Sequence, residues 1–234
     1  MAAIDSTISE LLIPIWTLPD SIVPNLMNPE PNKQEKSSIS LGAQAAIESV
    51  SAGDWNNFSK QGWKLGVGIE YLFRETYSVS IGANYSYKPY TANGNQYRPA
   101  YIYPTTPSRS QPESAVGVCD ILEIPVELGY YWKGHHQSGF FVKMGLSSYW
   151  MLREQYQFTY ENPDPNQVTD IAVYNENKHW LAIGQIAVGY QRLIRERWRV
   201  QLMPYFQVPW RGVGEGNIEL YSAGTTLKYY LSGN

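Results

Sequence analysis

Two carboxylates spaced four residues apart, Glu123 and Glu127, are the first residues of this sequence that suggest chemistry. They lie in the stretch LEIPVELGYYW (122–132), in which every second residue from Leu122 is apolar. Two carboxyl groups on one face of a strand suit general acid–base catalysis. The alternative is an ion-pair network inside a barrel, which we favour because an unpaired charge in a filled interior is costly. The acidic and basic residues on the same predicted face are Glu70, Glu123, Glu127, Lys64, Lys143 and Lys228.

The three histidines are the other candidates for a chemical site. His135 and His136 lie in the turn GHHQSG, and we expect adjacent side chains there to point in different directions without a third metal ligand nearby. His179 lies near an acidic loop, in the place of an outer-rim catalytic histidine, but no nucleophile partner is identifiable. We therefore predict no catalytic residue, no cofactor and no metal site.

The composition limits the class of protein. The net charge of −3 argues against binding to nucleic acid. No apolar run is long enough for a transmembrane helix, but the strands of a membrane barrel are only half apolar and escape that criterion. A single cysteine, Cys119, excludes an intrachain disulfide and a cysteine-based metal site. The opening residues MAAIDST do not show the pattern of a secretory signal, which leaves open a processed chain or one that is not exported.

The first 37 residues differ from the rest of the chain. Prolines interrupt short apolar pieces such as ISELLIPIW and SIVPNLM, and 28–38 resembles a linker. Apolar pieces of this length cannot form a core alone, so we predict a tail that docks on a protein partner. With the barrel topology argued below, the tail is periplasmic and the partner an envelope or outer-membrane protein. A linker left by processing is the alternative. The docking candidates are Leu11, Leu12, Ile15, Trp16, Ile22 and Leu26.

From residue 38 to residue 231 the hydrophobic pattern has a period of two. Eight alternating segments predict eight strands. The connections between the segments are alternately short and long, which is typical of an up-and-down transmembrane barrel. The predicted strands are 38–48, 62–74, 76–88, 121–133, 139–152, 179–192, 197–209 and 219–231. We therefore predict an all-β, eight-stranded antiparallel up-and-down transmembrane β-barrel with an N-terminal extended tail.

Aromatic residues indicate which face of the strands points outward. The apolar stripes begin and end in aromatic side chains ten positions apart, as two interfacial girdles of a membrane barrel require. The opposite faces carry Gly, Ser and paired charges, which suit a crowded interior. The alternatives are a soluble lipocalin-like ligand-binding barrel, with its apolar face inward, and a lipid-modifying barrel enzyme. The predicted girdle residues are Trp63, Phe73, Tyr77, Tyr87, Trp132, Phe140, Trp150, Trp180, Tyr190 and Trp198.

Three segments carry a resemblance to a known family: 122–132, GFFVKMGLSSYWML (139–152), and MPYFQVPWRGVGEGNIELYSAGTTLKYYL (203–231). The region 38–231 resembles the eight-stranded outer-membrane barrels common in Bacteroidota, the OmpA-type and PorT-like porin superfamily. The resemblance implies a bacterial outer-membrane location, with long loops extracellular, both termini periplasmic and lipid around the barrel. As a departure from the family pattern, the aromatic expected at the C-terminus sits at Tyr229–Tyr230.

The role that we expect is non-enzymatic, as a structural or accessory subunit of an envelope complex. One residue does not fit a regular barrel: Pro125 lacks a ladder donor, and a closed barrel has no free edge to accommodate it. We predict a bulge or a lost hydrogen bond at this position.

Overall fold

The computed structural model describes residues 37–98, 112–162, 165, 168–195 and 197–232. The predicted docking candidates, Leu11 to Leu26, lie outside the described residues. The described residues form nine strands and one 3₁₀ turn at Gly94–Gln96, and no helix among them is long and apolar enough to cross a membrane. The strands are β1 (Ser38–Ala52), β2 (Lys60–Phe73), β3 (Tyr77–Asn93), β4 (Ser114–Tyr131), β5 (Gly139–Thr159), β6 (Asp170–Tyr174), β7 (Lys178–Arg195), β8 (Trp198–Pro209) and β9 (Leu220–Ser232).

Eight of these strands close into a barrel. Each pairs antiparallel with its neighbour in the order β1, β2, β3, β4, β5, β7, β8, β9, and β9 pairs with β1. The prediction of a closed, eight-stranded antiparallel barrel is confirmed. β6 was predicted as part of a loop; it pairs with residues 153–157 of β5, beyond the point where β7 leaves that strand.

The two ends of the barrel differ. Residues 74–76 and 132–138 form short turns at one end, where β7 also ends at Arg195 shortly before β8 begins at Trp198. We call this the short-turn end. The connections at the other end are longer, and we call this the long-loop end. Parts of these connections are taken up by strands that continue beyond the barrel. There β3 runs to Asn93, β4 begins at Ser114 and β5 continues to Thr159, so the long-loop end carries an extended sheet where the sequence predicted mostly loop.

Two irregularities change which residues face inward. Asp120 pairs with Arg153 but Ile121 pairs with Met151, so Leu152 is an extra residue on β5. Interior positions on β5 are therefore odd-numbered up to Met151 and even-numbered from Glu154. A bulge shifts alternation in this way because two residues on one strand oppose one on its partner.

The second irregularity lies on β7. Ser147 pairs with Ile183 and Tyr149 with His179, and Leu181 has a positive φ of 47°. Leu181 and Trp180 both point outward as a result, whereas Ala182 is fully buried. Strict alternation would place Ala182 on the outer face with Trp180; the bulge interrupts that alternation, and Ala182 and Ile183 are both fully buried.

Prolines interrupt the hydrogen-bond ladder in two places without changing its register. Between β3 and β4 the pairing stops at Ile81–Val126 and resumes at Asn84–Glu123, so the gap lies opposite Pro125. On the other side, Pro125 stays in register with Ser147 of β5. Because proline has no N–H to donate, one side of its strand loses the pairing. The expected lost hydrogen bond is confirmed, and no bulge accompanies it; Pro204 interrupts the β7–β8 ladder in the same way.

Candidate functional site

The interior of the barrel is a network of buried charges that we call the lumen network. Its first part, toward the long-loop end, is centred on Glu48 of β1. The Glu48 carboxylate accepts hydrogen bonds from Lys88 Nζ at 2.6 Å and from the Tyr205 hydroxyl at 2.5 Å, and Lys64 Nζ lies 3.3 Å from it. Lys64 Nζ also lies 3.0 Å from the Glu123 carboxylate. This part therefore joins β1, β2, β3, β4 and β8 across the lumen.

A glutamine completes this first part of the network. The Gln207 side-chain carbonyl accepts hydrogen bonds from Lys64 Nζ and Lys88 Nζ, both at 3.2 Å, and from the Tyr149 hydroxyl at 3.1 Å. Its amide nitrogen donates to Glu123 Oε1 at 2.6 Å. A single neutral side chain thus contacts both basic groups and one of the acidic ones.

The second part of the lumen network surrounds Glu70, toward the short-turn end. Glu70 is fully buried, and its carboxylate accepts hydrogen bonds from Lys143 Nζ, Arg199 Nη2 and the Tyr131 hydroxyl, each at 2.7 Å. Gln201 donates to the Tyr131 hydroxyl at 2.9 Å. One carboxylate therefore serves two cations, which its two oxygens accommodate because each can accept more than one hydrogen bond.

Glu127 lies between these two parts. Its carboxylate accepts hydrogen bonds from Lys228 Nζ at 2.7 Å, from the Gln185 amide at 2.8 Å and from the Ser80 hydroxyl at 3.0 Å. Beside it is a cavity of about 20 Å³, lined in part by Gln44 and Lys228. A cavity of that size holds about one water molecule. The described part of the lumen is therefore filled by side chains.

All six residues that the sequence analysis placed in the lumen are buried, and they form three pairs. The pairs are Lys64–Glu123, Lys143–Glu70 and Lys228–Glu127, at 3.0, 2.7 and 2.7 Å. The sequence analysis did not include Lys88 or Arg199 among the candidates. Both follow the interior phase of their strands, so the same alternation that selected Lys64 could have found them.

The lumen changes character at the long-loop end. There the interior is an apolar cluster that includes Val50, Tyr90, Met151, Val213 and Ile218. Val213 and Ile218 form a β-bridge within the loop 210–219, and their side chains enter the cluster. This loop therefore plugs the long-loop end of the barrel with hydrophobic side chains.

A buried carboxylate holds the plugging loop in place. Glu154 accepts hydrogen bonds from the backbone N–H of Glu215 at 2.8 Å, from the Tyr156 hydroxyl at 2.5 Å and from the Asn177 amide at 2.7 Å. His179 Nε2 accepts one from the Gly214 N–H at 2.8 Å, and burial lowers the pKa of His179. Because its Nε2 already serves this loop, His179 is engaged in structure and not free to act as a base in this arrangement.

The other two histidines lie together at the short-turn end. The ring centroids of His135 and His136 are 3.9 Å apart, so the expectation that they point in different directions was wrong. His135 Nδ1 lies 2.7 Å from the Glu75 carbonyl oxygen, which identifies Nδ1 as the donor. Its Nε2 is buried and has no hydrogen-bond partner among the residues that the structure describes. Burial and the neighbouring His136 lower the pKa of His135 to about 4. Within the described residues, no group of three or more potential metal ligands occurs.

The predicted girdle residues all lie on the outer surface of the barrel, exposed or half-exposed. They fall into two groups, one at each end. The group at the long-loop end is Trp63, Tyr87, Trp150 and Trp180; the group at the short-turn end is Phe73, Tyr77, Trp132, Phe140, Tyr190 and Trp198. Neighbours within a group contact each other, with ring centroids 6.1 Å apart for Trp63–Tyr87 and 5.2 Å for Phe140–Tyr190.

Between the two aromatic groups the outer surface is apolar. Val67, Ile81, Leu128, Ile186 and Leu202 are among the exposed aliphatic side chains there. The soluble lipocalin-like alternative requires the apolar face inside the barrel. The structure places that face outside and the charges inside, so this alternative was wrong.

Comparisons with known proteins give a likeness in fold. No protein-family model and no curated protein sequence matches the chain. Similar solved structures include Neisserial surface protein A, with 12% identity over 83% of this chain and 98% of that one and a TM-score of 0.45. Ail, the attachment invasion locus protein of Yersinia pestis, bound to a heparin analogue, has 8% identity over 84% and 99%, with a TM-score of 0.40.

A third similar structure is the N-terminal β-barrel domain of OprF from Pseudomonas aeruginosa. It has 10% identity over 84% of this chain and 100% of that domain, with a TM-score of 0.38. At these values the likeness carries no information on activity, ligand or partner. The function proposed below therefore depends on the surface and interior of this chain.

Removing Glu70 is expected to destabilise the barrel strongly, because Lys143 and Arg199 would be left buried without their common partner. We expect Glu70→Ala to lower the free energy of unfolding by about 3–5 kcal/mol. Urea unfolding of the refolded protein in lipid vesicles, followed by tryptophan fluorescence, measures this change. Glu161→Ala, at an exposed position, is the control and should have little effect. A loss below about 1 kcal/mol for Glu70→Ala would show that the network does not hold the barrel together.

His135 makes stability depend on pH. Its pKa is lowered from 6.5 to about 4 in the folded protein, so the unfolded chain binds a proton in the window between these values and the folded chain does not. The contribution of His135 to the free energy of unfolding is therefore fully present above about pH 6.5 and is lost as the pH falls toward 4. We expect the difference in unfolding free energy between the wild type and His135→Asn to be constant above this window and to change within it. Parallel pH profiles would contradict the assignment.

Proposed function

We propose that this chain is a non-enzymatic bacterial outer-membrane β-barrel protein whose barrel anchors an envelope complex in the membrane. The single observation that carries the proposal is the apolar band on the outside of the barrel, bounded by two groups of aromatic side chains. In water such a band would be a very large exposed hydrophobic patch. In a bilayer it faces hydrocarbon, while the aromatic rings lie at the two lipid–water interfaces.

The height of the band supports a membrane-spanning position. On β2 the outward-facing residues run from Trp63 to Phe73, ten positions apart. At about 3.3 Å per residue and a strand tilt of about 40°, this distance corresponds to roughly 25 Å along the barrel axis. That value agrees with the apolar band of about 25 Å expected for an outer-membrane barrel.

The asymmetry of the two ends supports an orientation. Outer-membrane barrels have short turns on the periplasmic side and long loops outside. Ser38, where β1 begins, and the end of β9 both lie at the short-turn end, next to the turn at 74–76. On this basis the tail 1–37 and the C-terminus are periplasmic, and the extended sheet of β3, β4 and β5 is extracellular. The resemblance of 122–132, 139–152 and 203–231 to the OmpA-type and PorT-like barrels of Bacteroidota supports the same assignment.

The filled interior supports a structural role over transport. The described lumen holds ion pairs around a cavity with room for about one water, and the loop 210–219 plugs the long-loop end. A barrel of this kind offers its outer surface, its loops and its tail for contacts. We infer that the chain is a structural or accessory subunit, with Leu11, Leu12 and Trp16 among the residues of the tail that dock on the partner.

An arginine in the middle of the apolar band is expected to destabilise the barrel. An arginine on the outer face beyond the band, toward the long-loop end, is expected to leave its stability almost unchanged. Val67 lies between the aromatic groups and Val116 beyond them on β4; both are valines on strands and both point outward. In vesicles we expect Val67→Arg to cost about 2–4 kcal/mol, by the depth dependence of arginine in barrels. Val116→Arg should stay within about 0.5 kcal/mol of the wild type. Equal effects of the two variants would contradict a membrane-spanning band.

Deletion of residues 1–36 is expected to remove a protein partner while leaving the barrel in place. The comparison is a mild-detergent pull-down of the full chain, of the 1–36 deletion and of a 28–36 deletion that spares the apolar pieces. We expect the partner to be lost from the first deletion and kept by the second. Heat-modifiable mobility on gels checks that each barrel is folded. If the 1–36 deletion retains every partner, the tail is not a docking segment.

A further inference from the structure

A groove interrupts the apolar band on one side of the barrel. We call it the lateral groove. It encloses about 760 Å³ between β4, β5, β7 and β8, and its walls include Leu128, Met144, Ile186, Phe206 and Trp210. Volumes of this size are typical of sites that bind small molecules. The side chains of its walls are hydrophobic, so the groove offers contacts to an apolar ligand.

The shape of the groove follows from three local features of the sequence. Gly184 is an outward-facing position without a side chain, and it is buried beneath the ring of Trp210. Trp210 lies against it so closely that a Cβ on Gly184 would be 2.9 Å from Trp210 Cζ2. The bulge at Leu181 directs an additional side chain outward at the same height. There the backbone N–H of Trp210 donates a hydrogen bond to the Ala182 carbonyl at 2.8 Å. Leu181 and Trp210 therefore form a raised lip at the end nearer the long loops.

Basic residues lie beyond this lip. Lys178 is exposed, and its Nζ lies 4.5 Å from the centroid of the Trp150 ring, in the aromatic group of the long-loop end. Arg211 follows Trp210 directly and is also exposed. Along β8 and the residue that follows it, the groove runs from Phe206 to Trp210, about 13 Å at 3.3 Å per residue. An apolar channel of this length with cations at one end has the charge and polarity pattern of an anionic lipid.

We propose that the lateral groove is a binding site for one anionic phospholipid, with an acyl chain against Leu128, Met144 and Phe206 and a phosphate at Lys178 and Arg211. The inference rests on the proposed membrane-spanning position of the band. The walls of the groove are mostly hydrophobic side chains, which a hydrocarbon chain can contact along its length. The raised lip at Leu181 and Trp210 holds a flat protein surface away from these walls, which disfavours a second copy of the chain as the occupant.

The test is lipid retention in detergent. The full chain is purified, equilibrated with mixed micelles that contain equal amounts of phosphatidylglycerol and phosphatidylcholine with the same acyl chains, and examined by native mass spectrometry. We expect one retained lipid, with phosphatidylglycerol preferred. Gly184→Leu displaces the Trp210 ring from the upper end of the groove and should reduce retention of both lipids by about tenfold. Met144→Trp fills the groove from its β5 wall and serves if Gly184→Leu does not fold.

The headgroup contacts are tested separately. The double variant Lys178→Gln/Arg211→Gln should reduce the preference for phosphatidylglycerol by about tenfold, the effect of losing one or two charge-assisted hydrogen bonds. Two matched controls lie at similar heights elsewhere on the barrel: Ala83→Leu on the outer face of β3, and Lys60→Gln/Arg98→Gln near the long loops. Both controls should retain the lipid and the preference of the wild type.

The outcomes separate this proposal from the one on which it rests. If the chain purifies as a folded monomer without detergent, the membrane position fails and the groove proposal fails with it. If the barrel requires detergent and shows heat-modifiable mobility but retains no lipid, or retains it equally after Gly184→Leu, only the groove proposal is overturned. A dimer that Gly184→Leu dissociates would also overturn it, in favour of a second copy of the chain as the occupant.

Discussion

Every charge inside this barrel must find its partner across the lumen, because eight strands leave an interior that side chains fill. Glu48 on β1 is satisfied by Lys88 on β3 and Tyr205 on β8, and Glu70 on β2 by groups from β4, β5 and β8. These bonds join strands that are not neighbours in the sheet. They also fix the register, because a slip by one residue would turn a strand's charged residues toward the outer surface and its aliphatic residues inward.

The interior of the barrel has two parts of opposite polarity. Where the outer surface is apolar, the interior is polar and charged, around Glu70 and Glu127. Toward the long-loop end, beyond Trp150, the interior becomes an apolar cluster around Met151 and Phe158. The bulge at Leu152 lies at the boundary and changes the phase of β5, so that the even-numbered residues Glu154, Tyr156 and Phe158 enter the interior. A single extra residue thus allows one strand to serve both parts.

The sequence alone predicted the elements that depend on alternation. Period-two hydrophobicity located all eight barrel strands, and aromatic residues at the ends of the apolar stripes indicated which face points outward. The bulges could not be predicted, because an extra residue breaks the alternation without any residue type that marks it. Strict alternation would therefore place the buried Ala182 on the outer face. The lengths of β3, β4 and β5 were underestimated for a related reason: above the apolar band the interior is apolar and the outer face mixes valines with polar residues, so the alternation that defines a strand weakens there.

The pairing of individual charges was also beyond the sequence. Lys64, Lys143 and Lys228 could be placed inside by phase, but which carboxylate each one meets depends on shear and on side-chain length across the lumen. Lys64, for example, lies near both Glu48 and Glu123. The lateral groove was not visible at all, since it arises from Gly184, Leu181 and Trp210, which become neighbours only through the bulge on β7.

The seam between β1 and β9 has a consequence for how the chain acquires its structure. Ser40 pairs with Ser232 and Ala52 with Leu220, so the first and last strands join residues separated by most of the chain. Loop closure over so many residues is slow, and proteins rich in such contacts fold slowly. Until β9 has been synthesised, β1 has an unpaired edge that can recruit other strands. The chain therefore has to be kept from aggregating until β9 is available, and the pairing of β9 with β1 determines when that protection can end.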